Sequence, residues 1–77
     1  QSAALFDDMT VLENVCFPLE EHKRELRREQ VLRLAEEKLR LVGLDPKHYG
    51  KLPSQISGGM QKRTGLARAL ALDPEIL

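Results

Sequence analysis

The stretch SQISGGMQKRTGLARAL, residues 54–70, holds the residue types best suited to chemistry. Ser57 is a good helix N-cap, because its hydroxyl can accept a hydrogen bond from a first-turn N–H. Gly58 and Gly59 follow it, two poor helix formers at the head of a helical run. Lacking side chains, they let a bulky group come close to exposed backbone N–H groups. A helix N-terminus carries about half a positive charge and suits an anion such as phosphate. Lys62 and Arg63 sit near that end, and no Asp or Glu occupies the first two turns. Each exposed cation there is unfavourable by ~0.3–1 kcal/mol. An external anion resolves that conflict. The same residues also suit a plain glycine-bearing loop before an ordinary helix, and their spacing alone does not choose between the two.

Placing these residues requires a helix from about 58 to 72, and other elements to hold it. In TVLE, Thr10 and Glu13 form a capping box, so a short helix is expected over about 10–17. Pro18 should end or bend it. The strongest helical pattern lies in EEHKRELRREQVLRLAEEKLRLVGL, expected to be helical over about 24–42. Leu26, Val31, Leu34, Ala35, Leu39 and Val42 fall near helical spacing, with charged residues on a solvated opposite face. Gly43 suits a left-handed C-terminal cap with Leu44 folding back. Asp45–Pro46 reads as an N-cap and first helical position, opening a turn at 46–49. Pro53 should keep the chain extended into Ser54 and Gln55, and Asp73–Pro74 should turn it again. The closing EIL reads as the start of a strand. The expected fold class is all-α, a small helical bundle spanning residues 1–77.

Composition narrows the function classes. The chain has 77 residues, with 12 Lys plus Arg balanced by 12 Asp plus Glu. A neutral chain is a poor autonomous nucleic-acid binder. No apolar run reaches the ~20 residues that span a bilayer, so direct membrane insertion is not expected. The single cysteine, Cys16, excludes an internal disulfide and fits a reducing setting. His22 and His48 lack Cys or His partners at metal-ligand spacing, so both are expected at the surface. The chain opens on QSAALFDD, with no initiating Met and no signal-like segment, and we read it as a piece of a longer protein. A core of this size is marginal, so low stability is expected.

ISGGMQKRTGLARALALDPEIL closely resembles the signature motif and following helix of ABC-type ATPases, up to the edge of the Walker B strand. The family pattern is LSGGQ, a basic helix with A-R-A-L, then D-P; here Ile56 replaces Leu and Met60 replaces the final Gln. Gln1 matches the Q-loop glutamine, and LFDDMTVLENVCFPL looks like the segment after it. The wording of that segment, with SGGM for SGGQ, is most similar to the ATPases of phospholipid or MCE-type lipid transport. The resemblance covers nearly the whole chain. It implies the α-helical subdomain of a nucleotide-binding domain, cytoplasmic and peripheral to the membrane. It implies ATP and Mg²⁺ for the parent protein, with a transmembrane permease subunit and a second ATP-binding subunit as partners.

Residue by residue, the resemblance implies that Ser57 and Gly59 contact the γ-phosphate of ATP held by the opposite subunit, with Gly58 permitting close approach. Met60 stands where the family's Gln contacts ribose, and a thioether is a weak donor or acceptor. Gln1 would position metal and attacking water and link nucleotide state to the permease. Leu5, Phe6, Leu12 and Phe17 would form the docking surface for a cytoplasmic helix of that permease. Arg63 and Arg68 read as structural.

Two other readings compete. A non-transport ABC ATPase of DNA repair or translation would share the signature, but the compact spacing from Gln1 to Ser57 favours a transporter. An independent helix-turn-helix module has only the basic last helix in its favour. The sequence contains no G-x-x-x-x-G-K-[ST] loop, Walker B acid, catalytic Glu or switch His, and phosphoryl transfer needs such parts. The isolated chain should therefore neither hydrolyse ATP nor bind it tightly; micromolar binding by calorimetry would overturn this expectation.

Overall fold

The computed structural model describes residues 4–72, and among them all regular structure is helical. Three α-helices, α1 (Val11–His22), α2 (Arg28–Leu41) and α3 (Gly58–Leu72), pack on one another. Two 3-10 turns, Pro46–His48 and Pro53–Gln55, lie in the connection between α2 and α3. The expectations for Gln1, for the Asp73–Pro74 turn and for the strand start after it fall outside the described residues.

The core follows helical spacing. Val11, Val15 and Leu19 line the inner face of α1, Val31, Ala35 and Leu39 that of α2, and Thr64, Ala67 and Ala71 that of α3. Burying each Val or Leu contributes about 1.5–3 kcal/mol. Leu44 and Tyr49 close the core from the connection, and the Tyr49 hydroxyl donates to the Leu44 carbonyl at 3.3 Å.

The ends of the helices are built largely as the sequence suggests. Thr10 Oγ1 accepts from the Glu13 N–H, and Glu13 Oε1 accepts from the Thr10 N–H, completing the capping box. At the end of α2, Gly43 takes φ +86°. Its N–H donates to Arg40 O while the Leu44 N–H donates to Leu39 O, the paired bonds of a Schellman cap.

Several expectations fail, each for a local reason. Proline does not end α1, which continues through Pro18 to His22. An interior proline costs about 3 kcal/mol, but stopping there would expose Leu19, which is fully buried. α2 starts at Arg28 rather than near residue 24. Arg27 is extended, its N–H held by Gln30 Oε1 at 2.7 Å, and the residues before it turn through a Leu26 N–H to Lys23 O bond. Pro53 opens a 3-10 turn instead of an extended run, with Gln55 Oε1 accepting from the Leu52 N–H. The charged face of α2 is not wholly solvated, because Lys38 is only 2% exposed. Its Nζ reaches Glu37 Oε2 at 3.9 Å, and its long apolar stem covers core surface.

Residues 4–9 are fastened to α1 by the buried side chain of Asn14. Its Oδ1 accepts from the Phe6 N–H at 2.8 Å. Its Nδ2 donates to the carbonyls of Phe6, Met9 and Thr10 at 3.2, 3.1 and 3.0 Å, two N–H groups shared among three acceptors. An unpaired buried polar group costs about 1–3 kcal/mol. Asn14→Ala should therefore destabilise the folded protein by about 2–3 kcal/mol or more, read by urea unfolding, with Asn14→Asp little better because a carboxylate cannot donate to those carbonyls. A loss below 0.5 kcal/mol, taken as roughly the level of a neutral surface change, would contradict this account.

Candidate functional site

The head of α3 is built from Ser57 outward. Ser57 Oγ accepts from the Met60 N–H at 3.1 Å, and the Ser57 carbonyl accepts from the Gln61 N–H at 2.9 Å. Ser57 is thus the N-cap, as its type suggested. Gln61 then ties the helix to the preceding turn, its Nε2 donating to Pro53 O at 2.8 Å. Thr64, fully buried, donates its hydroxyl to the Met60 carbonyl. These bonds fix the first turn and leave the N–H groups of Gly58 and Gly59 without an acceptor among the described residues.

Ser57, Gly58 and Gly59 are exposed, and Lys62 and Arg63 flank them, also exposed. No acidic residue sits in the first turn. The structure thus brings together two free backbone donors, the positive end of a helix dipole and two cations, a set suited to a multiply charged oxyanion. Met60 differs from its neighbours: it is half-buried, its side chain packs against the core and its N–H serves Ser57.

The glycines are not there for this chain's own packing. A Cβ at Gly58 would meet nothing within 4 Å, and one at Gly59 only Ser57 Oγ at 3.9 Å. Gly43 alone among the described glycines has positive φ. Two residues of low helix propensity stand where alanine would fit.

The second group of sequence-selected residues lies along segment 4–9 and α1. Phe6 is 43% exposed, while Leu5, Leu12 and Phe17 are half-buried. Phe17 joins them, meeting Phe6 on one side and sharing a groove with Leu12 on the other. Phe6 and Phe17 meet edge to face, ring centroids 5.2 Å apart and planes at 73°. Leu12 and Phe17 line a groove of about 600 Å³ with Cys16 and Leu32, edged by Asp8, Glu13, Glu20 and Arg28. Arg28 is held by Glu20 at 2.6 Å. Burial, reinforced by Glu20, pushes the Cys16 thiol up to about 11, so it stays protonated and is a poor nucleophile at neutral pH. Leu32 was not singled out from the sequence, and Cys16 was considered there only for its redox chemistry.

Among the described residues no cluster of His, Cys, Asp or Glu could hold a metal, and no helix is long and apolar enough to cross a membrane. His22 is exposed, as expected. His48 is only partly so, with Nδ1 buried and unpaired.

The family model described as ABC transporter matches residues 1–77. Over all 77 residues the chain is 49% identical to a probable ribonucleotide transport ATP-binding protein of Mycobacterium leprae, of which it covers 22%. It is 47% identical to an Fe(3+) ions import ATP-binding protein of Rhizobium meliloti, covering 21% of it. It is 43% identical to the intermembrane phospholipid transport system ATP-binding protein MlaF of Haemophilus influenzae, covering 28% of it. The chain thus spans between 21% and 28% of the length of these relatives.

The open space at the glycine pair generates a stability test. Gly58→Ala and Gly59→Ala should leave the fold intact and raise its stability by up to ~1 kcal/mol each, less where the first turn frays. Thermal unfolding of the single variants checks this, and destabilisation of either would mean that the chain itself requires the glycine.

Proposed function

The chain belongs to the ABC transporter family, and we propose that it is the helical signature subdomain of an ATP-driven transport motor. In this reading Ser57, Gly58 and Gly59 receive the γ-phosphate of ATP held by an opposing ATP-binding subunit. The observation that carries it is the pair of acceptorless N–H groups at Gly58 and Gly59, on glycines that intrachain packing does not require.

The chemistry follows from that geometry. As two subunits close, the γ-phosphate oxygens approach the Gly58 and Gly59 amides, and a bare backbone allows them within hydrogen-bond distance. Preorganised amides then stabilise charge on the phosphate without reorganising. Ser57 holds the first turn in place and presents its hydroxyl at the same edge. Met60 contributes through packing, which fixes the turn's position. Gln1 is assigned to metal and water positioning. The phosphate loop, the Mg²⁺ ligands and the catalytic acid would come from parts of the protein outside this chain, which makes the full-length protein, not this piece, the ATP hydrolase.

We assign the groove beside Leu12 and Phe17, with Leu5 and Phe6 on the adjoining segment, to a cytoplasmic helix of a transmembrane permease subunit. That places the protein on the cytoplasmic face of the membrane through its partner. The cargo we propose is a lipid. Support comes from the wording of residues 1–19, from SGGM at the signature, and from the 43% identity to MlaF. The other relatives are named for ribonucleotide and Fe(3+) transport, so the lipid reading rests on the wording more than on rank of identity.

Two experiments on the full-length protein test these assignments. Gly59→Asp places a carboxylate beside the triphosphate and should lower steady-state ATP hydrolysis by at least tenfold. Gly59→Ala should be less severe and Ser57→Ala milder still. ATP binding to the same subunit should survive in all three, because these residues serve the opposite site. Hydrolysis at the unmodified rate by folded Gly59→Asp would reduce the pair to a turn. Leu12→Ala should uncouple transport from hydrolysis in reconstituted vesicles, and unchanged transport per ATP would remove the docking assignment.

A further inference from the structure

Arg68 lies on the helix that carries the glycine pair, yet it touches Ala4 and Phe6 of the segment beside the docking groove. It sits on α3 about three turns, or roughly 15 Å, from Gly58. Its Nη2 donates to the Ala4 carbonyl at 3.3 Å. Its guanidinium carbon lies 5.9 Å from the centre of the Phe6 ring. On its other side Phe6 meets Phe17 of α1, and the Phe6 backbone is bonded at both N–H and carbonyl to Asn14. Phe6, although 43% exposed, therefore bridges α1 and α3, with Phe17 on the α1 side and Arg68 on the α3 side.

We propose that Arg68 is a positioning residue that ties segment 4–9 to the signature helix, so that displacement of the head of α3 by bound nucleotide is passed to the segment beside the docking groove. This deepens the reading given above and rests on it. Three features support it. α3 is a continuous helix from Gly58 to Leu72, so its two ends move together. Segment 4–9 has no regular secondary structure of its own; its position comes from Asn14 on α1 and Arg68 on α3. The clamp also needs arginine's particular shape. A planar guanidinium can donate to a carbonyl at its edge while its face lies over a ring, which a lysine ammonium cannot do in the same geometry.

By linkage, a tie of this kind works in both directions. It can be read without identifying the permease, using MgATP as the probe. Amide hydrogen exchange is measured on the full-length protein with and without MgATP, at Gly58–Gln61 and at Phe6 and Met9, whose N–H groups are both bonded in this structure. In the unmodified protein MgATP should slow exchange at the head of α3 and change it at Phe6 and Met9 by at least threefold. In Arg68→Lys the first effect should persist and the second vanish. Arg68→Met keeps the bulk without charge or donor and should behave alike, which guards against a folding defect peculiar to one variant.

Retention of the Phe6 and Met9 response in both variants would overturn the proposal. Loss of both responses together would overturn it too, since Arg68 would then merely support the fold. If the unmodified protein responds at Gly58–Gln61 but not at Phe6 and Met9, this inference fails alone. If it does not respond at Gly58–Gln61, the phosphate reading of the glycine pair fails and carries this inference down with it.

Discussion

The carboxamide of Asn14 is the interaction on which the rest of this small fold depends. One fully buried side chain satisfies four backbone groups of the segment leading into α1. Without it the Phe6 N–H and the Met9 carbonyl would lose the partner they have here, while the Phe6 and Thr10 carbonyls would keep only their backbone donors, Met9 N–H and Asn14 N–H. With it, a stretch lacking regular secondary structure is fastened to α1. Phe6 is thereby set against Phe17, and Phe17 in turn lines the groove with Leu12. The apolar candidates of this region are arranged through one polar residue. Asparagine suits that task because it donates and accepts at once, and its neutrality spares the much larger cost of burying a charge.

The second constraint concerns α3, whose buried residues are Thr64, Ala67 and Ala71. Small side chains supply little apolar area, so α3 cannot be held by a large hydrophobic stripe as α1 is by Val11, Val15 and Leu19. Instead it is pinned by polar contacts at both ends. Gln61 bonds to Pro53 O near the head, and Arg68 bonds to Ala4 O near the tail. The helix that carries the glycine pair is thus located by close packing of small residues on α1 and α2, with Met60 and Leu72 against the core, and by these hydrogen bonds.

Much of this was legible in the sequence where one residue type has one good use. Thr10 and Glu13 announced the start of α1, Gly43 the end of α2, and Ser57 the start of α3. Local chemistry misled where tertiary burial outweighs it. Pro18 predicts an end or a bend, and it is not the end, because the pull of Leu19 into the core carries α1 one further turn. Lys38 reads as a solvated cation, but its stem is worth more against the core than in water. Asn14 could not be weighed at all, since its four bonds run to a segment whose path is set only in three dimensions. At the candidate site the residues of the first turn were readable and their environment was not. That Gly58 and Gly59 stand in open space is a property of the folded surface.

That open space decides what kind of explanation the glycine pair admits. A glycine at positive φ, such as Gly43, is explained by the chain's own backbone. A glycine against a close neighbour is explained by packing. Gly58 and Gly59 satisfy neither condition, and each lowers helix propensity relative to alanine by up to about 1 kcal/mol. In a chain of 77 residues, whose net stability is expected to be only a few kcal/mol, that is a sizeable fraction. In the reading proposed above, that cost is offset when a group from outside comes within hydrogen-bond reach of the two amides. Lys62 and Arg63, unfavourable beside the same positive helix end, narrow what that can be. A neutral or cationic group would leave their repulsion in place, whereas a polyanion relieves it and uses both donors. Sequence, cap geometry and electrostatics are therefore each compatible with an anion at the head of α3, which the reading proposed above takes to be a phosphate presented from outside the chain.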